Sequence, residues 1–162
     1  MIAYVALGSN LNDPVSQLRT GARALGKLPG TRLVRESSLY RTAPVGLVDQ
    51  PDFMNAVCEI ETSLVAQDLM QALLKIESAN GRVRDVPGGP RTLDLDLLLY
   101  GEMVCHEAGL TLPHPRLHER AFVLYPLAEI APGLDIPGRG QVEALLAGCA
   151  GQTIERLAAG IE

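Results

Sequence analysis

Two aspartates and three arginines carry the sharpest chemical signal in this 162-residue chain. They lie in Arg82-Val83-Arg84 and, beyond the segment Pro87-Gly88-Gly89-Pro90, in Arg91-Thr92-Leu93-Asp94-Leu95-Asp96-Leu97-Leu98. Read as a strand, the second run projects Asp94 and Asp96 from one face, roughly 6.6 Å apart along the backbone at ~3.3 Å per residue. Leu93, Leu95 and Leu97 fill the opposite face. Neighbouring carboxylates repel, and holding them together requires a cation or a shared proton. Mg²⁺ is bound by one or two carboxylates together with substrate phosphates. The guanidinium forks of Arg82, Arg84 and Arg91 match phosphate oxygens, and a loop flanked by them can close over a polyphosphate. Carboxylates for a metal and arginines for phosphate belong to one chemistry, metal-assisted phosphoryl transfer. The alternative is an acid pair neutralised by these arginines at a strand edge; a strand otherwise made of Leu favours the metal. Gly88-Gly89 fits neither the P-loop nor the Rossmann spacing.

A second constellation is Phe53 with Asn55, two residues apart on one strand face. A flat heterocycle can stack on the ring and hydrogen-bond the amide, although a packed core Phe gives the same pattern. His114, in Leu112-Pro113-His114-Pro115-Arg116, lies on a Pro-punctuated loop and suits a polar contact to a ligand. His106 and His118 read as solvated, and Cys105 with His106 falls short of the ligand set of a zinc site.

The elements that position these residues are legible from periodicity. Ile2 to Ser9 is a β-rich apolar run ended by the turn cluster Gly8-Ser9-Asn10. Asn12-Asp13-Pro14 starts a helix carrying Val15, Leu18, Ala22 and Leu25, which Pro29-Gly30 ends. Thr31 to Tyr40 is a candidate strand, followed by a turn-rich loop from Thr42 to Asp52 that is long enough for a binding loop. Phe53 to Glu61 alternates strictly: Met54, Ala56, Cys58 and Ile60 on one face, Phe53, Asn55, Val57, Glu59 and Glu61 on the other. A helix from about Val65 to Ala79 carries Leu69, Leu73 and Ile76 and ends at Asn80-Gly81. Thr92 to Tyr100 is a strong strand, a short strand pair follows around Met103 and Leu110, and Ala121 to Ile130 is helical despite Pro126. The tail holds amphipathic segments near Val142–Leu146 and Ile154–Ala159. The order strand, helix, strand, strand, helix, strand predicts an α+β fold, a ferredoxin-like βαββαβ sandwich with extra C-terminal strands and helices. Topology of this kind hosts many activities and by itself implies none.

Composition sets the frame. Hydrophobic residues make up 47% and charged residues 20%, a globular balance, and the length suits one domain over 1–162. With 26 Leu, two Phe and no Trp, the core must be aliphatic, and each aromatic ring calls for a reason. A net charge of -5 offers no basic field for nucleic acid or an anionic membrane. No apolar run approaches the ~18 residues of a membrane span, and the N-terminus lacks the pattern of a signal peptide. Cys58, Cys105 and Cys149 are odd in number and far apart, which fits a reducing cytoplasm and no disulfide framework.

At these residues the chain resembles the 6-hydroxymethyl-7,8-dihydropterin pyrophosphokinases of folate biosynthesis. The resemblance is carried by Ala6-Leu7-Gly8-Ser9-Asn10-Leu11, Tyr40-Arg41-Thr42, Gln50-Pro51-Asp52-Phe53-Met54-Asn55-Ala56, Glu77 with Gly81-Arg82-Val83-Arg84, Gly89 to Leu98, Leu112 to Arg116 and Arg120-Ala121-Phe122-Val123-Leu124. It implies transfer of pyrophosphate from ATP to the pterin hydroxymethyl group with release of AMP. Asp94 and Asp96 would hold two Mg²⁺ ions, and Arg82 and Arg91 would clamp the phosphates. Glu77, Arg84, His114 and Arg120 would lie on the ATP side, with Leu97, Leu110 and Thr111 around the adenosine. Phe53 and Phe122 would sandwich the pterin, and Asn55 with Thr42, Ala43 and Val45 would read its polar edge. The implied partners are these two small molecules, without nucleic acid or membrane, for a cytoplasmic monomer. One departure lies before Gly89-Pro90-Arg91, where the family often carries a Trp and a basic residue and this chain has Pro87 and Gly88. Two other readings stand beside this one. A non-catalytic ferredoxin-like module for RNA would want basic residues and several sheet aromatics, and a regulatory ligand-binding module would not need the aspartate strand beside three arginines. A catalytically reduced paralogue is the third reading, raised by the altered loop.

Overall fold

The alternation of the first strand fixes the frame of the molecule. The computed structural model describes residues 1–11, 13–43, 49–80 and 92–160. β1 (Ile2–Ser9) sends Ala3, Val5 and Leu7 to one core cluster and Tyr4 and Ala6 to another. α1 (Pro14–Gly26) starts where Asp13 Oδ1 accepts the Ser16 N–H at 3.5 Å, with Pro in the first turn. Its close seat on the sheet depends on Gly21, where a Cβ would lie 3.2 Å from Leu7 and 3.3 Å from Leu93.

The stretch expected as one strand from Thr31 to Tyr40 is two: β2 (Thr31–Glu36) and β3 (Ser38–Thr42), both antiparallel to β4 (Phe53–Thr62). Ser37 makes the break. Its N–H donates to Val57 O at 2.9 Å, and its buried hydroxyl, in place of a strand carbonyl, accepts the Val57 N–H at 2.9 Å. α2 (Ala66–Ala79) follows, closed by Asn80, whose backbone and side-chain N–H groups both donate to Ile76 O. β5 (Asp94–Tyr100) begins two residues later than the pattern suggested. The expected strand pair is the hairpin β6 (Cys105–Glu107) and β7 (Leu110–Leu112), shifted past Met103.

A 3₁₀ turn, Leu117–Glu119, leads into α3 (Ala121–Ile130), which keeps Pro126 inside it. The tail adds the hairpin β8 (Asp135–Ile136) and β9 (Gly140–Gln141), the short α4 (Val142–Leu146), a 3₁₀ turn at Ala147–Cys149 and β10 (Ile154–Gly160). The main sheet runs β10-β3-β4-β1-β5, with β2 on the outer part of β4. With β2 and β3 counted as one bent strand, that is the ferredoxin-like order, antiparallel throughout.

α1 and α2 cover one face over Leu7, Ile60, Leu93 and Leu97; α3 and α4 cover the other over Tyr4, Val57 and Leu99. A bulge in β5 opposite Tyr4 and Val5 turns Leu98 and Leu99 both toward α3. Cys58 and Cys149 are buried free thiols on opposite faces. Among the described residues no helix is long and apolar enough to cross a membrane.

Candidate active site

Register brings the chemical residues together. On the α3 face, Tyr40 pairs with Asn55, Asn55 with Gly8, and Gly8 with Asp94, so one row crosses four strands. The row on one side of it holds Thr42 with Phe53; the row on the other holds Val57, Ala6 and Asp96. Period-two alternation turns these side chains the same way. Gly8 is the centre of the floor. A Cβ there would come within 3.2 Å of Asn55 Oδ1, so glycine keeps open the space between the amide and the carboxylate.

The pterin-reading candidates are fixed by buried hydrogen bonds. Asn55 and Thr42 are both buried, and Asn55 Nδ2 donates to Thr42 Oγ1 at 2.8 Å. That bond sets the amide orientation and leaves Oδ1 over Gly8. Asn10, 2% exposed, donates from Nδ2 to Gln50 Oε1 and Pro51 O, each at 2.9 Å, and so ties the end of β1 to the segment that delivers Phe53. Phe53 is half-buried at the start of β4, while Ala43 is exposed just past β3.

Asp94 and Asp96 are half-exposed above an apolar layer in which Leu93, Leu95 and Leu97 are at most 4% exposed. Beneath them Glu77, 3% exposed, accepts the Leu95 N–H at Oε2 over 2.8 Å. A carboxylate bond of this kind contributes about 1.5–3 kcal/mol, and here it holds the outer edge of β5. His114 is brought in by its own N–H, which donates to Leu98 O in the β5 bulge at 2.9 Å. Burial lowers the His114 pKa, Asp96 opposes that, and Arg120 and Arg116 add to it. The ring is therefore neutral near pH 7. Its Nδ1 accepts the Arg116 N–H at 3.3 Å, which leaves Nε2 as an uncharged donor.

Arg120 stands between the two halves of the site. Burial lowers its pKa, while Asp96 and Asp94 favour its charge; a guanidinium stays protonated under such opposition. Its guanidinium carbon lies 5.4 Å from the centre of the half-buried Phe122 ring, a cation–π contact.

The donor set suits a hard divalent ion shared with phosphate. Among the described residues no three His, Cys, Asp or Glu side chains converge, and Asp94 and Asp96 set two carboxylates on one strand face. Such an arrangement fits Mg²⁺, which keeps waters and phosphate oxygens in its shell, better than an ion caged by protein alone.

Arg82, Arg84, Arg91, Val45 and the Pro87-Gly88 loop lie outside the described residues. Of the adenosine-side residues, Thr111 is half-exposed, but the Leu97 and Leu110 side chains are buried in the α1–α2 core. What Leu97 offers a ligand is backbone: the Leu95 N–H points out of the sheet edge to Glu77, and the two-residue repeat points the Leu97 amide the same way. Gly8, Asn10 and Glu129 carry no site role in the sequence reading. Their roles depend on partners 40 or more residues away, 47 for Gly8 and Asn55, that no local pattern announces.

Comparison with known proteins places this geometry. The profile described as 7,8-dihydro-6-hydroxymethylpterin-pyrophosphokinase (HPPK) matches residues 4–132. The chain is 50% identical over 154 residues to the 2-amino-4-hydroxy-6-hydroxymethyldihydropteridine pyrophosphokinase of Pseudomonas aeruginosa, covering 95% of each. It is 46% identical over 129 residues to the protein of that name from Bacillus subtilis, covering 80% of this chain and 77% of the other. Its fold is similar to that in the crystal structure of Plasmodium falciparum HPPK-DHPS with pteroate, at a TM-score of 0.74 and 13% identity over 90% of this chain. It spans 44% of that longer chain. With four-fifths of its length matched by the profile and 50% identity to a relative over 95% of its length, this chain belongs to the 7,8-dihydro-6-hydroxymethylpterin-pyrophosphokinase family.

Proposed function

We propose that the chain transfers the pyrophosphate group of ATP to 6-hydroxymethyl-7,8-dihydropterin, a step in folate biosynthesis. The hydroxymethyl oxygen attacks the β-phosphorus, the bond to the α–β bridging oxygen breaks, AMP leaves with that oxygen, and the hydroxyl proton is released. The observation that carries this reading is the row Asn55–Gly8–Asp94, which sets an amide and a carboxylate on one sheet face with a glycine between them.

In this reading Phe53 and Phe122 stack on the two sides of the pterin, and Asn55 with Thr42, Ala43 and Val45 reads its polar edge. Asp94 and Asp96 would hold two Mg²⁺ ions, which would supply charge to stabilise the phosphates and to acidify the attacking hydroxyl. Arg82 and Arg91 clamp the phosphates, and Arg84 serves the ATP side. Neutral His114 donates a hydrogen bond without adding charge, and Arg120 faces the phosphates from the other side. Leu97 contributes its edge amide, with Leu110 and Thr111 beside it, to the adenosine; Glu77 acts from beneath β5. The tail strand β10 enters the same sheet as β1, which supports residues 1–162 as one catalytic unit. We take it to work as a cytoplasmic monomer.

Incubation with ATP, Mg²⁺ and 6-hydroxymethyl-7,8-dihydropterin, with AMP quantified by chromatography, tests the reaction. AMP that forms only when the pterin is present supports it. No AMP, or AMP formed equally without pterin, removes it and leaves a ligand-binding module.

A further inference from the structure

Gln152 lies beyond residue 132, where the match to the family profile ends, in the turn between the 3₁₀ segment Ala147–Cys149 and β10. Its backbone is anchored: the Gln152 N–H donates to Cys149 O at 3.0 Å, and Cys149 is 1% exposed in the core beneath α3. Two residues on, Ile154 pairs with Thr42. From this turn the carboxamide reaches the start of α3. Its Oε1 accepts the Ala121 N–H at 3.0 Å, and its Nε2 donates to Glu119 O at 2.7 Å.

Those two bonds take the peptide groups on both sides of Arg120. Arg120 occupies the N-cap position of α3 and makes no side-chain capping bond of its own. Helix starts need an acceptor for their first N–H groups, usually from the N-cap side chain. Here the acceptor arrives from 31 residues away in the chain. The capped turn carries Arg120 toward Asp94 and Asp96, and Phe122 one residue past the held amide, with the guanidinium stacked on the ring.

We infer that Gln152 is a positioning residue for both substrates, holding Arg120 at the phosphates and Phe122 at the pterin through the 119 and 121 peptide groups. This rests on the assignment of Arg120 to ATP and Phe122 to the pterin. Gln152 is itself exposed, so water can replace its bonds when it is removed. The loss then falls on substrate affinity more than on folding.

The test compares KM and kcat for both substrates in the full chain carrying Gln152→Ala, Gln152→Glu, Phe122→Ala or Glu143→Gln. Glu143 is a control for tail bonding away from the site: its two carboxylate oxygens accept the Gly133 N–H at 3.0 and 2.9 Å. Gln152→Ala should raise the KM for pterin and for ATP by roughly 3- to 10-fold with little change in kcat. Its thermal midpoint should match that of the control. Gln152→Glu keeps an acceptor for the Ala121 N–H and should move both KM values back toward wild type. If Phe122→Ala raises the pterin KM while Gln152→Ala behaves like the control, the positioning role is overturned. If Phe122→Ala leaves the pterin KM unchanged, the substrate assignment fails first, and the inference falls with it.

Discussion

On the sheet face under α1 and α2, the residues Ala3, Val5, Leu7, Ala56, Cys58, Ile60, Leu95 and Leu97 form one unbroken apolar surface. On the face under α3 and α4 the apolar surface stops at Ala6 and Val57, and Asp96, Asp94, Gly8, Asn55 and Phe53 continue it. The helices over the two faces differ in length. α1 and α2, of 13 and 14 residues, lie side by side and close their face. α3 has ten residues, about 15 Å at 1.5 Å per residue, and α4 has five. Beyond Ala6 and Val57, the same strands that build the core present the chemistry of the candidate site.

That division is broken or sharpened most directly within β5, where adjacent residues face opposite ways. Asp96→Asn should lower turnover by on the order of 1,000-fold, measured as AMP release. Its stability should hold or rise, because one of two neighbouring negative charges is gone. Leu95→Ala should do the reverse: about 2–5 kcal/mol lost in denaturant unfolding, with turnover per folded molecule retained. A Leu95→Ala protein that stays folded yet inactive would mean that the two faces are not separable. A smaller effect is expected at Asn55, across Gly8 from Asp94. Asn55→Ala removes the amide aimed over Gly8 and leaves the Thr42 hydroxyl without its partner. The pterin KM should rise about 10-fold or more while the ATP KM changes little, with about 1–2 kcal/mol of stability lost. Equal rises in both KM values would place Asn55 on the wrong side of the site.

Much of this division was legible in the sequence, for a definite reason. Alternation over Phe53 to Glu61 and over Leu93 to Leu98 separates core from chemistry because a strand's period is two. The aspartate pair, Asn55 and Phe53 could therefore be singled out from the chain alone, whereas Phe122, on a helix, came only through the family resemblance. What alternation cannot carry is which strand lies beside which. Gly8 reads as a turn glycine and emerges as the floor between Asn55 and Asp94 only through two registers. Glu77 reads as a polar residue on the nucleotide side, but it is buried and bonded to the Leu95 amide. The Thr31–Tyr40 stretch hides its break because the agent, the Ser37 hydroxyl, acts on Val57, 20 residues on. The tail gave the least signal: β10 and Gln152 act on Thr42 and on the start of α3, both far away in sequence.

The smallest effect is expected at Tyr40, the neighbour of Asn55 that packs against α3. Tyr40 shares a row with Asn55, yet it is 4% exposed beneath α3, and its hydroxyl donates to Glu129 Oε1 at 2.8 Å. Burial and that carboxylate push the phenol pKa well above its ordinary value, so it remains a donor at any physiological pH. Glu129 also accepts the Ser38 N–H at 3.0 Å, the Ser38 hydroxyl at 2.8 Å and Arg156 at 3.2 Å, which pins the end of α3 to β3 and β10. Tyr40→Phe keeps the ring and removes one donor among several, so about 0.5–1.5 kcal/mol should be lost in denaturant unfolding. Because the pinned end of α3 is the opposite end from Arg120 and Phe122, both KM values should stay at wild type. A pterin KM that rose as far as in Asn55→Ala would extend the site beneath α3.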